Sequence, residues 1–367
     1  MKKIFLTILF FVLLLPVLVQ ADTKVINEDV VFKAKVVEIL DQVEKQAASG
    51  QKITQQNLKL VGLEEPFLDK YVKFEGIGDI VTVKNNVYKV NDKVLVAAAY
   101  DDNGSPQFFV TDYQRNTGLL ILTIVFVLSL VFVGGFKGLR SLLSLIITFF
   151  IIIKFIIPQI LHGANPIAIT LIGSLIILLL VLYITEGFHK RTHIAVVSIM
   201  FSLIVSIFIS WIFVNLVKIT SMASDEITYL VSLGDHSINL EGILLAGIII
   251  GTLGVLDDVI ISQIASVEQI NEANKYQGRW EIFKKAYKIG VSHISSMTNT
   301  LFLAYTGASI PLLLLFVSGH TAFKNWSQIV SSEVIAVEIV RTLSGSIGLI
   351  LAVPISTFIA AWWFKKK

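Results

Sequence analysis

The stretch Gly242–Ile261 reads GILLAGIIIGTLGVLDDVII, twenty residues with two charges, both near its end. A helix rising about 1.5 Å per residue needs about twenty such residues to cross about 30 Å of hydrocarbon. Inside lipid no water can bond to the backbone, so the stretch must satisfy its own N–H and C=O groups as a helix. The same character recurs in Gly118–Gly134, Ser141–Ile157, Pro166–Ile184, His193–Phe213, Ser296–Val317 and Leu343–Trp363. Seven crossings are expected: an α-helical polytopic membrane protein, with a transmembrane domain over 116–367.

The composition agrees. Of 367 residues 54% are apolar and 16% charged, and mean hydropathy is +0.77. A soluble protein of this size carries about a quarter charged residues, which excludes a soluble enzyme of one or two domains. The same numbers exclude disorder. With no cysteine there is no disulfide, thiolate metal site or cysteine nucleophile. The net charge of +3 gives no ground for a nucleic-acid partner, and none is expected. No cofactor and no metal are expected either.

Ahead of the helices lie two further segments. Lys2 and Lys3 precede an apolar run from Ile4 to Val19, and small residues follow to Ala21. That is the layout of a signal peptide over 1–21, with an uncleaved anchor as the alternative. Either sends residues 22–115 outside the cell membrane. These are polar and alternating, and read as a small extracytoplasmic β-barrel or sandwich. Strands are expected at 30–40 and 58–63. Hairpins are expected at 81–90, around Asn85-Asn86, and at 93–112, around Asp102-Asn103-Gly104.

Charge placement orients the helices. Alternate loops carry Lys137 and Arg140, then Lys190 and Arg191, then Lys275, Arg279, Lys284, Lys285 and Lys288, then Lys365, Lys366 and Lys367. The opposite loops hold Lys218 and Lys324 alone, and one of them is acidic at Asp225, Glu226 and Asp235. Basic loops face the cytoplasm, so the mature amino terminus is expected outside and the carboxyl terminus inside. The loop at 264–295 places Trp280, Phe283 and Tyr287 on one helical face beside lysines. It is expected to be a cytoplasmic amphipathic segment, on the inner membrane surface or packed on the bundle base.

The polar residues within the spans carry what chemistry there is. Gly247, Gly251, Gly254 and Asp258 recur at spacings of four, three and four, forming one stripe. Glycines on a stripe let another helix approach closely, which would turn Asp258 into the bundle, with Ser262 one turn further and Gln263 beside it. A carboxylate in the bilayer costs about 2.5–3.5 kcal/mol on insertion scales, so it marks an ion or solute contact; a wetted helix end is the plainer reading. Asn299 is expected at a similar depth, as a ligand or as a helix-bridging amide. Gly307 and Pro311 interrupt the sixth span, because Pro311 cannot donate to the Gly307 carbonyl. Glu338 and Arg341, three apart, pair at the outer end of the seventh, for structure or for solute.

These residues sit in segments that resemble the YibE/F family of bacterial membrane proteins. The matching segments are GIIIGTLGVLDDVIISQ at 247–263, TNTLFLAYTGASIPLLLL at 298–315 and EVIAVEIVRTLSGSIGLILAVP at 333–354. Asp112-Tyr113-Gln114-Arg115 and the 135–140 loop fit as well. Val291 and Ser292 stand where the resemblance leads one to expect Arg-Asp, and Ile260 where it leads one to expect a hydroxyl residue. The resemblance implies a multi-span membrane protein with an extracytoplasmic β domain and carries no established activity.

Two functions fit. One is a permease or channel for a small solute or ion, with Asp258, Asn299, Ser262 and Gln263 lining the inner half and Glu338 and Arg341 the outer. The other is a membrane scaffold or assembly factor that binds a partner through the β domain. The partners expected are the bilayer and a small solute or ion, with a homo-oligomer or another membrane protein as open alternatives. An enzyme is not expected. Adjacent Asp257 and Asp258 diverge by about 100° on one helix and cannot form a facing dyad.

Overall fold

The computed structural model describes residues 30–46, 52–78, 86–100, 105–222, 227, 229, 239–318 and 325–365. The expected signal peptide at 1–21, the residues at 81–85 and the turn at 102–104 lie outside these. The chain divides into two units, Asp22–Leu130 and, apart from its first residues, Val131–Lys367.

The first unit is built on a five-stranded antiparallel sheet: β1 Val30–Gln46, β2 Lys52–Gly62, β3 Tyr71–Glu75, β4 Lys93–Tyr100 and β5 Pro106–Tyr113. The order is β3-β2-β1-β4-β5. Alternation fixes its inner face, with Phe32, Ala34, Val36, Leu58, Leu60, Val94, Val96 and Ala98 all fully buried. β1 is long enough to pair with both β2 and β4, and its register slips at Val36/Glu38 and Ile39/Asp41. Such bulges bend a strand. The sheet curls until β3 nears β5 without forming a ladder with it, giving a half-open barrel rather than a sandwich.

The strand expected at 87–90 is absent. There the amide of Gln56 takes the place of a neighbouring strand: Tyr88 N–H donates to its Oε1 at 2.8 Å, and its Nε2 donates to the Tyr88 carbonyl at 3.1 Å.

Lys33 reaches over β1 to Glu64, donating from Nζ and from its backbone N–H at 2.8 Å each. These hydrogen bonds hold the Glu64 carboxyl below its ordinary range. A folded-state pKa below the unfolded one stabilises at neutral pH, and the benefit is lost as pH falls through the folded value. Glu64→Gln should therefore flatten the acid side of the melting-temperature profile between about pH 7 and about pH 3, a change that circular dichroism of the β domain would register.

From Asn116 onward the chain is helical; Asn116–Leu130 are counted with the first unit and the rest forms the second. A run from Asn116 to Leu161 opens with α1 (Asn116–Ile151) and closes with α2 (Ile157–Leu161) after one π turn at Ile152–Ile156. Pro158 lacks the N–H that would bond the Lys154 carbonyl, and widening to a π turn accommodates the fault. Then come α3 Pro166–Thr185, α4 Lys190–Val217, α5 Leu240–Ala273, α6 Arg279–Ala308, α7 Ile310–Val317, α8 Trp326–Ser331 and α9 Glu333–Phe364. Among the described residues five helices are long and apolar enough to cross a membrane, six if the bent pair α6–α7 counts as one span.

The spans expected at 118–134 and 141–157 fall in one 46-residue run, broken only where Gly135 takes φ 55°, ψ −133°. The expected loop at 264–295 is also different. α5 continues to Ala273 and α6 begins at Arg279, leaving a five-residue turn. The reason is burial: Ile264, Val267, Ile282 and Ala286 are fully buried, so both helices keep their core contacts past the expected boundary.

α9 is the axis of the packing, lying against α4, α5 and α6. Its buried face is small: Ser344, Gly345, Gly348, Ala352, Ser356, Ala360 and Ala361. α4 offers serine at every fourth position, Ser198, Ser202, Ser206 and Ser210, all buried. A Cβ on Gly348 would stand 2.4 Å from Ser206 Oγ and 2.7 Å from its Cβ. Small residues are what let membrane helices approach this closely.

The tightest three-helix crossing is at Gly290 of α6. A Cβ there would lie 2.3 Å from Val353 Cγ1 on α9 and 2.8 Å from Gln263 Oε1 on α5. Val353 is β-branched and cannot swing away. Gly290→Ala should thus destabilise by roughly 1–3 kcal/mol through overpacking. Gly254→Ala, whose Cβ would meet nothing within 4 Å, should not destabilise at all. Thermal midpoints of the two variants in one detergent compare them directly.

Candidate functional site

The glycine stripe on α5 does not do what its spacing suggests. No atom stands within 4 Å of where a Cβ would sit at Gly247 or Gly254; only at Gly251 does a neighbour, Tyr305 Oη, come to 3.0 Å. The stripe faces open space instead of a packed helix. The glycines that seat helices are Gly290, Gly348 and Gly173, each of which a Cβ would bring within 2.6 Å of a neighbouring side chain.

Asp258 follows the stripe and is exposed. Its backbone N–H donates to Asp257 Oδ1 at 2.9 Å. Asn299, on α6, is exposed as well, and no hydrogen bond joins the two among the described residues. Ser262 is exposed too, its carbonyl accepting from Ser266 Oγ at 3.0 Å. Gln263 points the other way. It is 2% exposed and ties three helices, its Nε2 donating to the Ala286 carbonyl at 2.8 Å and to Thr357 Oγ1 at 2.7 Å. Both its amide donors are spent on the protein.

The helix break between α6 and α7 falls at Ser309. Its N–H is shared between the carbonyls of Tyr305 and Thr306 at 3.1 Å each, and the chain turns by 63° before resuming at Ile310 with Pro311 in its first turn. Gly307, just before, is exposed with open space beside it. Ser309 Oγ lies 3.5 Å from Glu338 Oε2 on α9, and Arg341 Nη1 donates to Glu338 Oε1 at 2.8 Å.

Two cavities of about 270 Å³ flank this point. One is lined by Gly247, Ser221, Val337, Glu338 and Arg341 among others; the other by Tyr305, Ser309, Trp326, Glu338 and Thr342 among others. Glu338 lines both. Polar groups therefore meet where a bent helix, a glycine-opened face and an ion pair converge, within otherwise apolar walls. Tyr305, Ser309, Ser221 and Thr342 belong to this site and are not among the residues expected from sequence. A hydroxyl in a span has no signature of its own; what marks these four is only which helix they face.

The bundle also has distinct ends. Arg191 pairs with Glu268 at 2.5 Å, and Arg279 Nε donates to the Lys365 carbonyl at 2.9 Å. These contacts gather the start of α4, the end of α5, the start of α6 and the end of α9, with their basic residues. At the opposite end Glu333 accepts from the N–H groups of Thr220 at 2.7 Å and Ser221 at 2.6 Å, and Asn215 donates to Glu241 at 3.3 Å. The aromatic face of α6 packs at the basic end. Trp280 and Phe283 stack at 4.9 Å, and Trp280 meets Trp362 of α9 edge-on at 6.1 Å.

Apolar helices of spanning length, packed through glycine and serine with their charges at the ends, define a helical membrane protein. Its particular kind follows from comparison: the family described as YibE/F-like protein matches residues 122–366, and the chain belongs to that family. No curated protein and no solved structure matches it.

Proposed function

We propose that this chain is a permease or channel that moves a small solute or ion through the helical bundle, with Glu338 and Arg341 at the heart of the path. The observation that carries this reading is the pair of cavities that meet at Glu338, beside a helix broken at Ser309. Discontinuous helices beside a polar site are how many transporters hold solutes. In this reading Gly135 divides the 46-residue run into two crossings, because a straight helix of that length, about 69 Å, would far exceed the bilayer. Seven crossings then place the β domain outside and Lys365 in the cytoplasm. Basic residues gathered at one end of the bundle support that orientation. The role is transport, not catalysis.

Liposomes containing the purified chain, assayed against a panel of inorganic ions and small metabolites, provide the test. Flux of at least one species is expected, falling at least tenfold in Glu338→Gln. No flux under any condition would overturn the proposal.

One feature favours the scaffold reading as an alternative. The half-open barrel holds a cavity of about 440 Å³ lined by Gln55, Gln56, Phe74, Asn86 and Tyr88, a surface on which a partner could dock. In that case removal of 22–115 abolishes function and Glu338→Gln does not.

A further inference from the structure

The cavity beside Gly247 carries a more specific reading, which rests on the permease proposal and names its substrate class. Its charged lining is one acid and one base, Glu338 and Arg341, and their pairing leaves much of each unused. Arg341 donates to Glu338 through Nη1 alone. A guanidinium has five N–H donors, and the others have no partner among the described residues. Glu338 Oε2 receives only the long 3.5 Å contact from Ser309. Ser221 adds a hydroxyl that is buried, 4% exposed, and without a hydrogen-bond partner among the described residues. The rest of the wall is largely apolar: Ile243, Leu244, Val334 and Val337.

Charge balance selects the ligand. The pair is neutral and only partly exposed, in a cavity that is largely apolar and open on one side. A lone cation or anion entering would leave a net charge in a partly desolvated site, which is unfavourable. A zwitterion leaves the sum at zero. Its carboxylate can fork onto the free guanidinium donors and its ammonium can meet the open Glu338 oxygen, giving two new charge-assisted contacts. The volume of about 270 Å³ is at the bottom of the range for ligand sites, so the molecule is small. Apolar walls call for an apolar body.

We propose that this cavity binds a small zwitterion with an apolar side chain, of the class of the aliphatic α-amino acids, between Glu338 and Arg341. Gly247 makes the room. A side chain there would project into space that no atom occupies within 4 Å, so the fold tolerates it while the ligand does not.

The test uses the purified full-length chain in detergent and four probes. These are L-leucine, 4-methylpentanoate (which lacks the ammonium), isoamylamine (which lacks the carboxylate) and glycine (which has both charges but no apolar side chain). Thermal shift and tryptophan fluorescence report binding; Trp326 lines the adjoining cavity. L-Leucine is expected to raise the melting temperature and to bind at least tenfold more tightly than any of the other three. Gly247→Leu is expected to keep the ligand-free melting temperature and to weaken leucine binding at least tenfold. Equal binding of either singly charged analogue, or equal or tighter binding of glycine, overturns the inference. So does unchanged leucine binding in Gly247→Leu. Flux of an inorganic ion without leucine binding overturns the inference and spares the permease reading. Leucine binding without flux of any species supports the site and overturns the permease reading.

Discussion

Replacing Gln263 with alanine is expected to lower the unfolding free energy of the helical unit by roughly 2–4 kcal/mol, combining two lost buried hydrogen bonds with a cavity. The amide is buried where α5, α6 and α9 meet, bonded to Ala286 at 2.8 Å and Thr357 at 2.7 Å. Thr357→Val removes one of these bonds and should cost about 1 kcal/mol. Because the two substitutions share a bond, the double variant should lose less than the sum of the singles. Unfolding in detergent followed by circular dichroism gives all three values. The flux of each molecule that remains folded should be unchanged. A variant of normal stability with impaired flux would instead return Gln263 to the solute path.

Gln263 illustrates which parts of this protein can be read from the sequence. The helices are legible because membrane insertion is set by summed hydropathy over about twenty residues, and that sum is local. The ends of the bundle are legible because loop charge is local too. Rotation is not. Gln263 and Asp258 lie on the same helix, five residues apart, yet one is buried in a three-helix junction and the other is exposed. The decision belongs to partners on α6 and α9 that no pattern within α5 reveals.

The glycine spacing misleads for the same reason. Gly247, Gly251 and Gly254 form a stripe in either case, but whether a helix fills the space beside it depends on chain more than forty residues away. The serines at 198, 202, 206 and 210 show the converse. Their four-residue period marks a packed face, and it is filled by Gly348 and its neighbours. Glu338 and Arg341 are legible as a pair because three residues along a helix bring them together without outside help. Their placement between two cavities is not, since it requires the bend at Ser309.

That pair permits a prediction whose sign separates two kinds of site. Arg341→Leu should destabilise by about 2–3 kcal/mol, since it leaves the Glu338 carboxylate between largely apolar cavities without its charged partner. Adding Glu338→Leu to that variant should restore stability rather than lower it further, because removing both charges abolishes the desolvation cost that removing one exposes. A pair held on a wet helix end behaves differently: each substitution costs at most about 1 kcal/mol, and the double costs about as much as one single, because the one interaction is lost only once. Melting temperatures of the two singles and the double decide between these outcomes. If the double is the more stable, the charges sit in an enclosed site whose neutrality has an energetic price, and a chain that keeps such a pair keeps it for contact with a solute. If both singles cost little and the double recovers nothing, the pair is a surface feature and the path must run elsewhere.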